Sequence, residues 1–426
     1  MKLSHTLLSL AILTTACDQD SSAPAPEEEV AALEIAAEPP ADGPLRTAQA
    51  RAKHHADAMK PHATMPGAKV AFDELSSLIE AKYVGGPLTE DELWTGAMEG
   101  VLARLVQLPG HEINTLLSPR DHKELLIGTK GRLVGVGVMI ERVANVVVIR
   151  DVIDGGPAAN AGLRAGDRIL GVDDERLEPL DLAAVVDRIR GEDGSEVRLF
   201  VQRDTEEWTE TITRGLVEVK SVESKMVGEG TGLVRITSFS EKTAAELDAG
   251  LAALEAAGAT SVVLDLRHCP GGLLDAALEV GSRFVPEGKP LLTVNHRAGD
   301  PDVHLSKGSH PWQDRPLAVL IGPKTASGAE ILADALREHD RGPLVGEPTL
   351  GKHTVESIHE LSSGWAVKLS VSRFATASGE QRQGIGVRPD IPIPMGDAKE
   401  KIRSVDDIDP SADPVVATAL GLLGVD

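Results

Sequence analysis

Apolar residues recur along this chain with two different periods, and the changes of period divide it into segments. From about Ala68 to Leu126 the spacing is helical, in "AKVAFDELSSLIEAKYV" and again in "TEDELWTGAMEGVLARLVQL". Thr89 and Glu92 stand where a capping box would open the second run. A small helical segment is predicted over 67–128. From Gly131 the period shortens. "GRLVGVGVMI" and "NVVVIRDVI" predict strands, "DLAAVVDRIRG" an amphipathic helix and "EVRLFVQRD" a closing strand, so 129–205 forms a second segment. Between 206 and 396 strand-like and helical runs alternate: "GLVRITSFS", "EKTAAELDAGLAALEAAG", "SVVLDLRHCPGG", "LLDAALEVGSRFV", "PLAVLIGPKTA". That rhythm predicts an α/β domain with a largely parallel sheet. The tail, 397–426, ends in a helix expected to dock on it.

Composition limits what these segments can be. The 426 residues are 42% hydrophobic, enough for several cores, yet only 2% aromatic. The cores must therefore be built from Ala, Val, Leu and Ile. A formal net charge of −23 repels phosphate backbones, which argues against nucleic acid as a partner. Cys17 and Cys269 sit in contexts too different to suggest a disulfide. Residues 1–17 carry Lys2 and then "LLSLAILTTA", too short to span a bilayer, and predict a secretory leader. "LTTAC" resembles a bacterial lipobox with its leucine one place further from the cysteine than usual. It implies lipidation of Cys17, hence a membrane anchor and a periplasm-facing place in a bacterial envelope. Residues 18–66 are rich in Ala, Pro and acids and are expected to form a disordered tether. His54, His55, Met59, His62 and Met65 within it match no standard metal motif, so no metal is expected.

Three short stretches carry candidate chemistry. In "GPKTASGAEILADAL" a buried strand runs into a helix, and Ser327 lies at the helix N-terminus. There it could simply cap the helix, or it could be a nucleophile served by unpaired N–H groups. "DLRHCPGG" ends a strand at Gly271 and Gly272, where bare backbone would let a substrate carbonyl approach N–H groups. "GEPTLGKHTVES" puts Lys352 in a turn between two strand-like runs. His268, His339 and His353 have no recognisable triad context. A serine–lysine pair is the other solution, and it needs an amine that is neutral when it meets the serine. Val345, Leu350 and Val355 are the apolar neighbours expected to favour that state.

Residues Leu133 to Arg203, with "GPAANAGLRAGDRILGVD" as the most specific part, resemble a bacterial PDZ domain. In such a domain an extended peptide adds to a sheet edge and its carboxylate meets a glycine-bearing loop. Here that loop is Gly135, Val136, Gly137 and Val138. "VVLDLRHCPGGLLDAA", "KTASGAEILADAL", "VGEPTLGKHTV" and "LSVSRFATASGEQRQGIGVRPDI", in this order after helices and a PDZ domain, resemble the C-terminal processing (tail-specific) proteases over Ala68 to Pro394. The resemblance implies a multidomain α/β protein. Its parts are an N-terminal helical segment, a PDZ domain of sandwiched or barrelled strands with helices, and a core related to crotonase and the Clp protease. It implies a serine endopeptidase without metal or organic cofactor, acting on protein substrates with unstructured C-termini. The nucleophile falls on Ser327, the base on Lys352, and the oxyanion N–H groups on Gly328 and on Gly271 or Gly272. This chain departs from the family pattern in several places. "SGAE" stands for S-A-S-E, His353 for the second glycine of G-K-G, Glu338 for an aspartate of some members, and Glu356 for an orienting glutamine. A carboxylate at 356 favours the charged form of Lys352 unless it is protonated or turned away. These departures also motivate an alternative, a catalytically degenerate PDZ adaptor of the envelope. An acyl-CoA enzyme on the same core would leave the PDZ segment unexplained.

Overall fold

The computed structural model describes residues 67–85, 87–105, 114–143, 146–177, 182–396 and 404–424. The leader, Cys17 and the tether with its histidines lie outside these residues. Helix α1 (Ala68–Lys82) buries none of its side chains and meets α2 (Glu90–Ala103) through a Phe72–Trp94 ring stack at 5.2 Å. The capping box forms as expected: the Thr89 N–H donates to Glu92 at 2.7 Å, and the Glu92 N–H donates back at 3.2 Å. The segment is not purely helical, however. Strand β1 (Thr115–Leu117) pairs antiparallel with Ala366–Lys368 and so belongs to a sheet of the α/β domain. Ser118 then caps α3 (Pro119–Thr129), with Pro119 at the start, where a missing N–H costs nothing.

The next segment contains β2 (Arg132–Gly135), β3 (Val138–Val143), β4 (Val146–Val152), the short α4 (Pro157–Asn160), β5 (Arg168–Val172) and β6 (Glu175–Arg176). It continues with α5 (Leu182–Ile189), β7 (Glu196–Arg203), β8 (Glu206–Thr213) and β9 (Gly215–Glu218). The sheet runs β3-β4-β5-β7-β8, with β6 paired to β5. Alternating residues Val147, Ile149, Val197, Leu199 and Val201 point inward onto Val185 and Ile189 of α5. "GRLVGVGVMI" is two strands rather than one. Gly137 takes a φ of +79°, a left-handed conformation open to glycine, and the chain breaks there. β2 pairs instead with β9, so the segment is entered and left through a two-stranded ribbon.

The α/β domain comprises β10 (Val222–Gly228), β11 (Thr231–Ile236), α6 (Thr243–Ala256), β12 (Ser261–Asp265), α7 (Leu274–Phe284), β13 (Pro290–His296) and β14 (Asp302–Leu305). After these come β15 (Leu317–Ile321), α8 (Gly328–Glu338), β16 (Leu344–Gly346), β17 (Thr354–Glu360), β18 (Ala366–Ala375), β19 (Ile391–Pro392) and α9 (Pro414–Leu422). One sheet has the order β10-β11-β12-β15-β16-β19 and is parallel except for β10 against β11. Helices α6, α7 and α8 cover one face and α9 the other. Burial on both faces is why "LAVLI" and "SVVLD" read as unbroken apolar runs. A second sheet, β1-β18-β13-β14 with β17 on β18, is antiparallel, a layer the α/β rhythm did not announce. The expected tail helix docks through Asp413, which caps α9 and accepts a 2.7 Å hydrogen bond from the fully buried Arg267. Arg267 also grips Asp265 through two side-chain bonds, at 3.0 and 2.7 Å. Just before α9, Asp407 ion-pairs with Arg150 of β4.

Candidate active site

Ser327 stands between β15 and α8 in a backbone conformation that few side chains tolerate, φ 53° and ψ −119°. Hydrogen bonds on both sides hold it there. The Thr325 hydroxyl donates to the Leu266 carbonyl at 2.8 Å, and the Ala326 N–H donates to the Cys269 carbonyl at 3.0 Å. The Ser327 N–H donates to Glu330 at 2.9 Å. The turn after β15 is thereby tied to the turn after β12, which carries the glycines.

Those glycines lie against the serine. Gly271 has φ +93°, and a Cβ on it would sit 2.6 Å from the Ala326 carbonyl and 2.8 Å from the Gly328 nitrogen. Gly272 has φ +151°, and a Cβ there would overlap the Phe239 carbonyl oxygen. Its bridge to Phe239 uses the Gly271 carbonyl and the Leu273 N–H, leaving the Gly272 N–H outside it. The Gly271 N–H faces the Cys269 thiol, which burial pushes up to about 12 and so keeps protonated. Gly328 opens α8, where a first-turn N–H has no intrahelical partner. It is buried, and a Cβ on it would press on Ala277 at 3.2 Å and Phe239 at 3.3 Å. This packing confines a backbone that a glycine would otherwise leave loose.

Lys352 lies between β16 and β17, and one side chain joins it to the serine. Glu330 is fully buried. One carboxylate oxygen takes the N–H groups of Ser327 and Lys352, each at 2.9 Å, and the other takes the Gly351 N–H at 2.7 Å and the Thr349 hydroxyl. Burial pushes the Glu330 carboxyl up, and these four donors pull it back towards the ionised form. Sequence reasoning quoted Glu330 within "SGAE" and gave it no role. Its signal was the spacing: an acid at the third helical residue can reach back to the cap. The partner loop was not visible from spacing.

The Lys352 side chain is 22% exposed and donates to Glu356 at 2.7 Å; the Thr354 hydroxyl holds the other oxygen of Glu356 at 2.8 Å. Glu356 therefore faces the lysine and is not turned away. Among the described residues no hydrogen bond joins the Lys352 amine to the Ser327 hydroxyl. The apolar surroundings expected for Lys352 are also different. Val345 packs on the other face, against α9, Leu350 is 37% exposed, and Val355 packs with Ile331 and Phe374. His353 is buried and stacked on Phe374, and burial pushes it down to about 4, so it is neutral near pH 7. His339 meets the Pro290 carbonyl at 2.6 Å, away from the serine. Glu338 holds the 376–383 loop through the N–H and hydroxyl of Ser378.

The glycine loop Gly135–Val138 lines a groove of about 330 Å³ beside α5. Leu182, Val186 and Ile189 form its apolar wall, with Arg150 and Arg190 at its margin. An extended peptide against β3 would meet this wall.

Residues 230–393 match the profile of peptidase family S41, and residues 148–203 that of the PDZ domain. The carboxyl-terminal-processing protease of Synechocystis is 35% identical over 321 residues, covering 74% of this chain and 74% of that protein. The carboxy-terminal processing protease CtpA of Bacillus subtilis is 32% identical over 309 residues, 72% of this chain and 65% of its own. A solved S41 protease structure from Bacteroides fragilis superposes with a TM-score of 0.52 over 86% of this chain and 98% of its own, at 16% identity, which shows a shared fold. With a strained serine, a glycine turn and a peptide groove already in place, the chain belongs to the carboxyl-terminal-processing proteases, PDZ-containing serine endopeptidases of family S41.

Proposed function

We propose that Ser327 and Lys352 form the catalytic pair. The observation that carries this reading is the single Glu330 oxygen shared by their backbone N–H groups. Neutral Lys352 accepts the Ser327 hydroxyl proton as the serine oxygen bonds to the substrate carbonyl carbon. The N–H groups of Gly272 and Gly328 receive the oxyanion, Gly271 giving room for the approach. Lys352 then passes its proton to the leaving amine as the C–N bond breaks. Water, deprotonated by the same lysine, releases the acyl group and regenerates both residues.

The groove at Gly135–Val138 takes the free C-terminus of an unstructured protein substrate, whose upstream chain enters the core. Cys17 and its leader support export and a lipid anchor, and hence substrates of a bacterial envelope. Cleavage of an unfolded protein with an apolar C-terminal residue, beside Ser327→Ala and Lys352→Ala, tests the pair. Loss in both variants is expected; cleavage retained in either defeats the assignment. For the anchor, Cys17→Ser should move the protein from the membrane to the soluble envelope fraction.

A further inference from the structure

Glu356 has a second lysine beside it. In the β17–β18 register Glu356 pairs with Ser370 and Ile358 pairs with Lys368. Cross-strand partners share a face, and so do residues two apart, so Lys368 is the diagonal neighbour of Glu356 on the face that carries it. Diagonal neighbours of this kind are within reach of long side chains. Lys368 is partly buried there. Burial pushes it below the usual lysine range, the charge of Lys352 adds to that shift and the charge of Glu356 opposes it. The three groups therefore sense one another. The other groups facing them do not substitute for Lys368. On β17, Glu360 of the same face turns to His122 at 3.9 Å. On β1 the partner of Lys368 is the uncharged Thr115. From α8, Glu330 reaches the Lys352 backbone rather than its amine.

We propose that Lys368 is a positioning residue for the reaction: its ammonium supplies the counter-charge to Glu356 and so lets Lys352 give up its proton before meeting Ser327. This rests on the Ser327–Lys352 assignment. A lone carboxylate 2.7 Å from Lys352 would hold the lysine as an ammonium. A second cation near that carboxylate weakens the hold without removing the hydrogen bond that orients the amine.

The test is the pH profile of kcat/KM on the unfolded protein substrate. Lys368→Met should move the rising limb alkaline by about 0.5–1 pH unit, a roughly three- to tenfold loss at pH 7 that closes at the alkaline plateau. Lys368→Arg should restore the wild-type limb. Glu356→Gln combined with Lys368→Met should bring the limb back to the wild-type position or below it. An unmoved limb, a uniform loss at every pH, or failure of the arginine to rescue overturns the proposal. Should Lys368→Met not fold, Lys368→Gln gives the same readout. Lys352→Ala is assayed alongside. If it is inactive while Lys368→Met leaves the limb in place, only the role of Lys368 falls. If it stays active, the assignment falls and this proposal with it.

Discussion

The serine side and the lysine side of this active site are built by opposite means. Ser327 follows a fully buried parallel strand and is fixed by backbone: a strained φ, N–H and carbonyl contacts to the Cys269–Gly272 turn, and a carboxylate with no solvent access. Lys352 lies in a loop that leads into an antiparallel sheet, and side-chain charges surround its partly exposed amine. Geometry therefore has to be right on the first side, and proton affinity on the second. Variants of the serine side should lower the rate at every pH. Those of the lysine side should slide the profile along the pH axis.

Breaking the serine side has the largest expected effect. Gly272→Ala places a methyl group on the Phe239 carbonyl, so the turn must move and its N–H with it. Loss of one oxyanion donor typically costs about 100- to 1000-fold in kcat. The expected result is a loss of that size, independent of pH, measured by steady-state kinetics beside a melting curve. Activity within tenfold of wild type would remove Gly272 from the site. Glu330→Gln comes next. It keeps the volume but turns an amide NH2 donor toward backbone N–H groups that need an acceptor. Displacing the two loops by about 1 Å is enough to lose roughly 100-fold. A pH-dependent loss instead would mean that Glu330 acts through charge and not through position.

The same division decided what could be read from sequence. On the serine side the apolar strand, the small-residue turn and the periodic helix are neighbours in sequence, each following from local pattern, and only the Cys269–Gly272 turn joins them from elsewhere. The lysine side is assembled from remote pieces. β1 comes from the N-terminal helical segment to pair with β18, and β18 also places Lys368 beside Glu356. Partly exposed antiparallel strands such as "TVESIHE" mix polar and apolar positions, so their pairing register is invisible in one sequence. For the same reason the expected packing of Val345 and Leu350 around Lys352 does not form, since Val345 packs against α9 and Leu350 is exposed, and the Glu330 clamp, spanning 327 to 352, needed the loops to meet first. The Gly137 break in "GRLVGVGVMI" was missed for a local reason. Leucine, valine and isoleucine favour strand on both sides of the glycine, and only the pairing of β2 with β9 shows that the run changes sheets.

Glu356→Gln should produce the complementary, smaller effect. It removes the carboxylate at 2.7 Å from Lys352 while leaving a carbonyl oxygen to receive the amine. The rising limb of kcat/KM should move to lower pH by about one unit, with the alkaline plateau within about threefold of wild type. No acid shift would show that Glu356 does not govern the protonation of the lysine.

Asp334 offers the least effect on rate, and it tests whether the serine side can carry a titrating group without sensing it in catalysis. It lies on α8 and is 2% exposed, with Arg337 at 3.0 Å and Arg382 at 3.2 Å. Burial pushes its carboxyl up to about 7; the two arginines pull it down by less, and Glu338 and Glu330 add to the rise. The folded state therefore binds this proton more tightly than the unfolded chain. The resulting stability is fully present below about pH 4 and is lost as pH rises through about 7. Asp334→Asn keeps the shape and removes that titration. Relative to wild type, the variant should gain stability between pH 5 and 8, by about 2–4 kcal/mol, read from denaturant midpoints. Its kcat/KM profile should stay within about threefold at every pH, because Asp334 acts on folding and not on the proton of Lys352. Parallel stability curves for the two proteins would place the Asp334 carboxylate in its ionised form at pH 5. A shifted rate profile would mean that charge reaches the reaction from the serine side as well, and the division between the two sides would fail.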